Sequence, residues 1–175
     1  KRKSYLTTVI VVVMGYLIFF TSRLWYPGQK DAEDYTPIGQ MQEIKETGNG
    51  VTIVYWAYSP EQSAMSVELD INAVYRDDIS FAAVDKKRRE LPVTLKLSQS
   101  GTYVLELDSI QEDFQAVSLR VTIQGKTIRL YTNNKQIDKV EKLTFYSDLD
   151  GYYQARVSRN ILLLEQEIQE TKEQI

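Results

Sequence analysis

Residues 66–73 read SVELDINA, with apolar Val67, Leu69, Ile71 and Ala73 alternating with polar Ser66, Glu68, Asp70 and Asn72. A period of two sends successive side chains to opposite faces of an extended chain, so the segment predicts a strand with one buried and one wet face. The pattern spreads outward from there. Downstream it returns at Val93, Leu95 and Leu97, at Tyr103, Leu105 and Leu107, at Val117, Leu119, Val121 and Ile123, and at Ile128 and Leu130. Short runs over 79–84 and 140–146 predict further strands. Upstream, VTIVYWAY over 51–58 follows Thr47-Gly48-Asn49-Gly50. Asn-Gly tolerates positive φ at both positions, which predicts a hairpin closing at that dipeptide. About eight or nine strands with frequent turns predict a sandwich or barrel rather than an α/β fold.

One turn is more particular. Residues 99–105, Gln-Ser-Gly-Thr-Tyr-Val-Leu, resemble the turn entering strand F of immunoglobulin-like domains, where a Tyr bonds back across the corner and a core residue follows two positions later. The resemblance implies an immunoglobulin-like β-sandwich with Leu105 at the position where antibody domains carry Cys. It covers only this turn and its strand, and implies nothing about ligand or activity.

At the N-terminal end, residues 6–22 read LTTVIVVVMGYLIFFTS, without a charge. At ~1.5 Å per residue they span about 25 Å as a helix, which predicts a single transmembrane helix over 6–26. Lys1, Arg2 and Lys3 precede it; Trp25 and Tyr26, then Asp31, Glu33 and Asp34, follow. That asymmetry predicts a cytoplasmic N-terminus and an outward-facing remainder. A cleavable signal peptide would need a small-x-small site, and none precedes Ala32. Thr8, Gly15 and Ser22 fall seven apart and form a stripe of small residues suited to a neighbouring membrane helix. The expected organisation is a cytoplasmic end over 1–5, the membrane helix over 6–26, an acidic tether over 27–37, an extracytoplasmic sandwich over 38–147 and an amphipathic helix over 148–175.

That last helix opens after Asp148-Leu149-Asp150-Gly151, whose acidic residues suit an N-terminus. A calcium loop of the EF-hand type would need acids where Tyr146 and Val157 stand. Val157, Ile161, Leu164, Ile168 and Ile175 follow steps of four and three, with Thr171 completing the heptad seam, which predicts a partner-helix contact or coiled coil. Leu162 and Leu163 widen the stripe, so packing on the chain's own sandwich is the competing reading.

The chain has 175 residues, net charge −3, no Cys and no His. Thiolate chemistry, disulfides and histidine ligands or bases are therefore absent, and mild acidity disfavours nucleic acid as a partner. A domain outside the cytoplasm without disulfides suits a prokaryotic envelope. No Gly-rich phosphate loop, zinc spacing or nucleophile motif occurs, and no cofactor or metal is expected. Two sets of residues are candidate surface contacts. Lys86, Lys87, Arg88 and Arg89 sit between apparent strands and would touch head groups or an acidic partner, or simply guard sheet edges. Trp56 and Tyr58 share one strand face while Tyr55 takes the other, so one set must leave the core unless the C-terminal helix covers it.

These features together predict a non-catalytic, membrane-anchored scaffold or accessory subunit of a cell-envelope complex for secretion, transport or motility. It would sit in the lipid bilayer, contact other membrane proteins through its sandwich, and form homo- or hetero-oligomers through its terminal helix. The competing reading is a receptor-like module that captures a glycan, peptide or small molecule in an aromatic pocket near Trp56 and signals across the membrane.

Overall fold

The computed structural model describes residues 35–45, 47–74 and 78–173. The first sheet contains β1 (Met41–Ile44), β2 (Asn49–Ser59), β3 (Ala64–Asn72), β6 (Val93–Gln99) and β7 (Thr102–Leu107), in the order β1-β2-β3-β7-β6. The second contains β4 (Ile79–Asp85), β5 (Glu90–Leu91), β8 (Ala116–Ile123) and β9 (Lys126–Asn133), in the order β5-β4-β8-β9. A short β10 (Asp138–Lys139) pairs parallel with β2, at Ala57 and Tyr58, and α1 (Leu149–Glu173) ends the fold.

Chain order identifies the architecture. β2 and β3 lie in one sheet, β4 crosses to the other, β6 and β7 return so that β7 pairs with β3, and β8 and β9 cross again beside β4. This is the A-B-E-D and C-F-G arrangement of an immunoglobulin-like β-sandwich. The residues resembling a strand F turn sit one strand earlier, between β6 and β7. Ser100 (φ 54°) and Gly101 (φ 91°) form a two-residue hairpin closed by Gln99 opposite Thr102, a geometry that twists with its strands. Tyr103 turns into the core against Phe81 and Leu105 is fully buried, while strand F is β8.

The core is the set of inward positions of both sheets, including Ile53, Leu69, Leu105, Leu119, Val121 and Leu130. Full burial of each such side chain is worth roughly 1.5–3 kcal/mol. One bulge changes the parity of β2. Ile53 pairs with Leu69 and Tyr55 with Glu68, which leaves Val54 as the extra residue. Beyond it Trp56 and Tyr58 also face inward, 2% and 1% exposed, so the expected exposed patch at these two residues is corrected: both are core. Strict alternation along the strand could not anticipate that shift.

The first hairpin also differs in detail. Asn49 and Gly50 already belong to β2, opposite Ile44 and Glu43. The reversal ahead of them uses Gly48 at φ 68° and Thr47, whose N–H and Oγ1 both donate to the Ile44 carbonyl. The strand expected over 140–146 is an irregular cover instead. It is tied down by Val140 N–H to the Tyr58 carbonyl at 2.9 Å and Ser59 Oγ to the Glu141 carbonyl at 2.6 Å, and Leu143 packs with Ala57 and Ala64.

The expected single-pass architecture requires correction. No helix among the described residues is long and apolar enough to cross a membrane; α1 has 25 residues but carries Arg156, Arg159, Glu165, Glu167, Glu170 and Lys172. The fold is an all-β immunoglobulin-like domain with a C-terminal helix, and the single-pass membrane localisation is overturned by that finding. Residues 6–26, with the stripe of Thr8, Gly15 and Ser22, lie outside the described residues.

Candidate interaction surfaces

The start of α1 is locked locally. Asp148 Oδ1 accepts the Gly151 N–H at 2.9 Å, an N-cap contact. Tyr152 is buried, its hydroxyl accepts the Tyr146 N–H at 3.1 Å, and the two rings meet edge to face at 5.0 Å. Burial raises the Tyr152 pKa above the ordinary tyrosine value, against the opposing effect of that hydrogen bond.

From there the helix crosses the outer face of the first sheet, where Ser66, Glu68 and Asp70 point. Glu68 is 2% exposed because two arginines close over it. Arg156 donates to Glu68 Oε1 from Nη2 at 2.7 Å and from Nε at 3.1 Å, and Nη1 reaches Asp70 Oδ2 at 3.1 Å. Arg159 Nη2 takes Glu68 Oε2 at 2.7 Å, and its guanidinium stands 4.0 Å over the Tyr55 ring. Thr102 Oγ1 completes the cluster by donating to Asp70 at 2.8 Å. Burial lowers the Arg156 pKa, but its hydrogen bonds to Glu68 and Asp70 outweigh that and hold it above the usual value. Tyr55 is raised by burial, partly offset by Arg159. The face expected to be wet is therefore a charged dock. Its legible signal was the pair of arginines three apart, one turn of helix, matched to carboxylates two apart on a strand.

Beyond Arg159 every side chain of the helix from Asn160 to Lys172 is exposed. Val157, Ile161, Leu162, Leu163, Leu164 and Ile168 are 50–59% exposed. Among the described residues the seam positions Val157, Ile161, Leu164 and Ile168 face no second helix, so the expected coiled coil is corrected to a single helix; Ile175 lies outside the described residues. Between the helix and the 140–146 cover runs a cleft of about 460 Å³, lined by Tyr55, Ser66, Lys142, Leu143, Arg159 and Leu162 among others. Leu162 joins this cleft to the apolar stripe.

The basic run lies in the turn from β4 to β5. Arg88 takes φ 63°, its N–H donates to the Asp85 carbonyl, and Asp85 N–H donates to the Arg89 carbonyl. Arg89 is ion-paired with Asp85 at 3.1 Å, while Lys86, Lys87 and Arg88 are exposed.

No protein-family model matches the chain, and no curated protein matches its sequence. Among solved structures it is similar to one described as the Lin-41 filamin domain, with 13% identity over 53% of this chain and 93% of that one, at a TM-score of 0.36. A likeness of that degree concerns the fold alone; the sandwich assignment stands on strand order and pairing.

Proposed function

We propose that this chain is a non-catalytic protein-interaction module, a subunit of a multi-protein assembly that engages a protein partner through the exposed apolar stripe of α1. The observation that carries this reading is the division of the helix. Its first half is fixed by Arg156 and Arg159 on Glu68, and its second half presents Ile161, Leu162, Leu164 and Ile168 to solvent. Apolar residues gathered on a rigidly held element favour a partner that offers an apolar groove or helix face. A receptor-like reading would need an aromatic pocket at Trp56, and that ring is spent on the core.

The test is co-purification of the tagged full chain, with the captured partner identified and then recombined with the chain as purified components. Ile161→Glu with Leu164→Glu is expected to abolish the recombined complex. Val74→Glu, at an exposed residue outside the helix, should leave it intact. Both variants should melt at the wild-type temperature, since these side chains are already solvated. Undiminished binding by the double variant would overturn the proposal.

A further inference from the structure

The outer side of the second sheet, on the other face of the sandwich, is half-covered: Ser80, Ala82, Thr127 and Arg129 are exposed, while Val84, Ser118, Arg120, Thr122 and Tyr131 are half-buried. Register aligns its outward residues in rows across β4, β8 and β9: Val84, Ser118 and Tyr131; Ala82, Arg120 and Arg129; Ser80, Thr122 and Thr127. Their intervening neighbours Leu119, Val121 and Leu130 are buried. Arg120 and Arg129 therefore stand directly opposite each other, a like-charge pairing that costs stability in a sheet. Among the described residues neither guanidinium has an ion-pair or hydrogen-bond partner, and Arg120 Nε is buried without one. Among the described residues, register brings the carboxylate of Glu90 to these rows, opposite Val84 on the far strand. Around the arginines are hydroxyls: Ser118, Tyr131, Thr122 and Thr127, the last two bonded to each other at 2.7 Å. Exposed Ala82 leaves the approach to Arg120 open.

We infer that this face receives an acidic, extended segment of a protein partner, its carboxylates bridging Arg120 and Arg129. Guanidinium groups take carboxylates through paired, charge-assisted hydrogen bonds. An Asp/Glu-x-Asp/Glu segment sets successive carboxylates about 7 Å apart on one side, close enough to straddle a cross-strand pair. The exposed hydroxyls of Ser80 and Thr127 beside them suit the backbone of such a segment. This inference rests on the interaction-module reading but uses a surface remote in sequence from the helix stripe.

The experiment is fluorescence anisotropy of the full chain with a labelled decapeptide of alternating Glu and Ser, and the matching Gln-Ser peptide as control. Arg120→Gln with Arg129→Gln is expected to raise Kd at least about tenfold, the loss of one charge-assisted contact or more. Lys86→Gln with Lys87→Gln should change it less than about twofold, and salt should weaken wild-type binding. Thermal melting verifies that the arginine variant is folded; relief of like-charge repulsion should leave its midpoint equal or higher. Three results would overturn the inference: equal affinity for the Glu and Gln peptides, equal loss in the two double variants, or displacement by an oligonucleotide at lower concentration than by the unlabelled Glu-Ser peptide. The Ile161→Glu, Leu164→Glu variant separates the two readings, because it should lose the helix partner and keep the acidic peptide.

Discussion

Arg156 and Glu68 are 88 residues apart in the chain and share two hydrogen bonds, of 2.7 and 3.1 Å, on the outer face of the first sheet. Glu68 is nearly inaccessible while Arg156 keeps about a fifth of its side-chain surface. Removing the acid takes the carboxylate from Arg159 and leaves Arg156 with Asp70; removing one arginine leaves the acid half-satisfied. The helix is consequently held by a charge arrangement more than by apolar area, and its docking depends on few residues.

Glu68→Ala is expected to destabilise the domain by about 1–3 kcal/mol, the cost of losing charge-assisted hydrogen bonds to guanidinium groups that keep about a quarter of their surface in water. Urea denaturation would measure it. The double change Glu68→Ala, Arg156→Ala should cost less than the sum of the single changes, because each single variant already loses the shared contact.

Gly151→Ala should destabilise in spite of Ala's better helix propensity. An added Cβ would lie 2.7 Å from Tyr146 Cβ, a backbone-anchored atom, and overpacking of that kind costs about 1–3 kcal/mol. Gly50→Ala meets Met41 Sδ at the same 2.7 Å, but a flexible thioether can swing aside. Its melting temperature should fall by less than that of Gly151→Ala.

Trp56→Ala should cost about 3–5 kcal/mol, as befits a large core side chain and not a surface contact. A loss below about 0.5 kcal/mol would mark the residue as exposed and contradict the bulge at Val54.

Alkaline pH should weaken the fold. Lys96 is raised by its hydrogen bond to Glu106, and Tyr55 and Tyr152 are raised by burial. A group with a raised folded pKa contributes stability that is complete below its unfolded value and lost as pH climbs through the folded one. Those unfolded values are 10.0 for Tyr and 10.5 for Lys. Stability should therefore be insensitive to these groups at pH 7–9 and decline from about pH 10 upward. Denaturation midpoints across that range, with tyrosinate absorbance recorded in parallel, would check it. Lys96→Met should flatten the decline in part.

Ending the chain after Glu165 should leave stability within about 0.5 kcal/mol, because the described side chains removed are exposed. The same truncation should weaken partner capture through the loss of Ile168.

Much of the sandwich was legible because burial on one face writes itself into a period of two. The strands around Val67, Leu95, Leu105, Leu119 and Leu130 all lie where alternation puts them. Two expectations failed where a local pattern had two readings. Gln99-Ser-Gly-Thr-Tyr103 suits a strand F entry as a string of residues, and only pairing with β6 makes it a hairpin. Trp56 and Tyr58 change face because one inserted residue, Val54, shifts the parity of β2, and nothing in the local composition marks it.

Sequence by itself determined most of the strands, though not the irregular cover over 140–146, that a capped helix follows Asp148, and that Val157, Ile161, Leu164 and Ile168 share a stripe. Each of these is a consequence of near neighbours, through backbone geometry and the spacing of apolar residues. Tertiary structure alone decided that Glu68 lies under Arg156 and Arg159, and that Arg120 faces Arg129 with no ion-pair partner among the described residues. Those relations join residues far apart in the chain, and electrostatics acts through space once the strands have been brought into register.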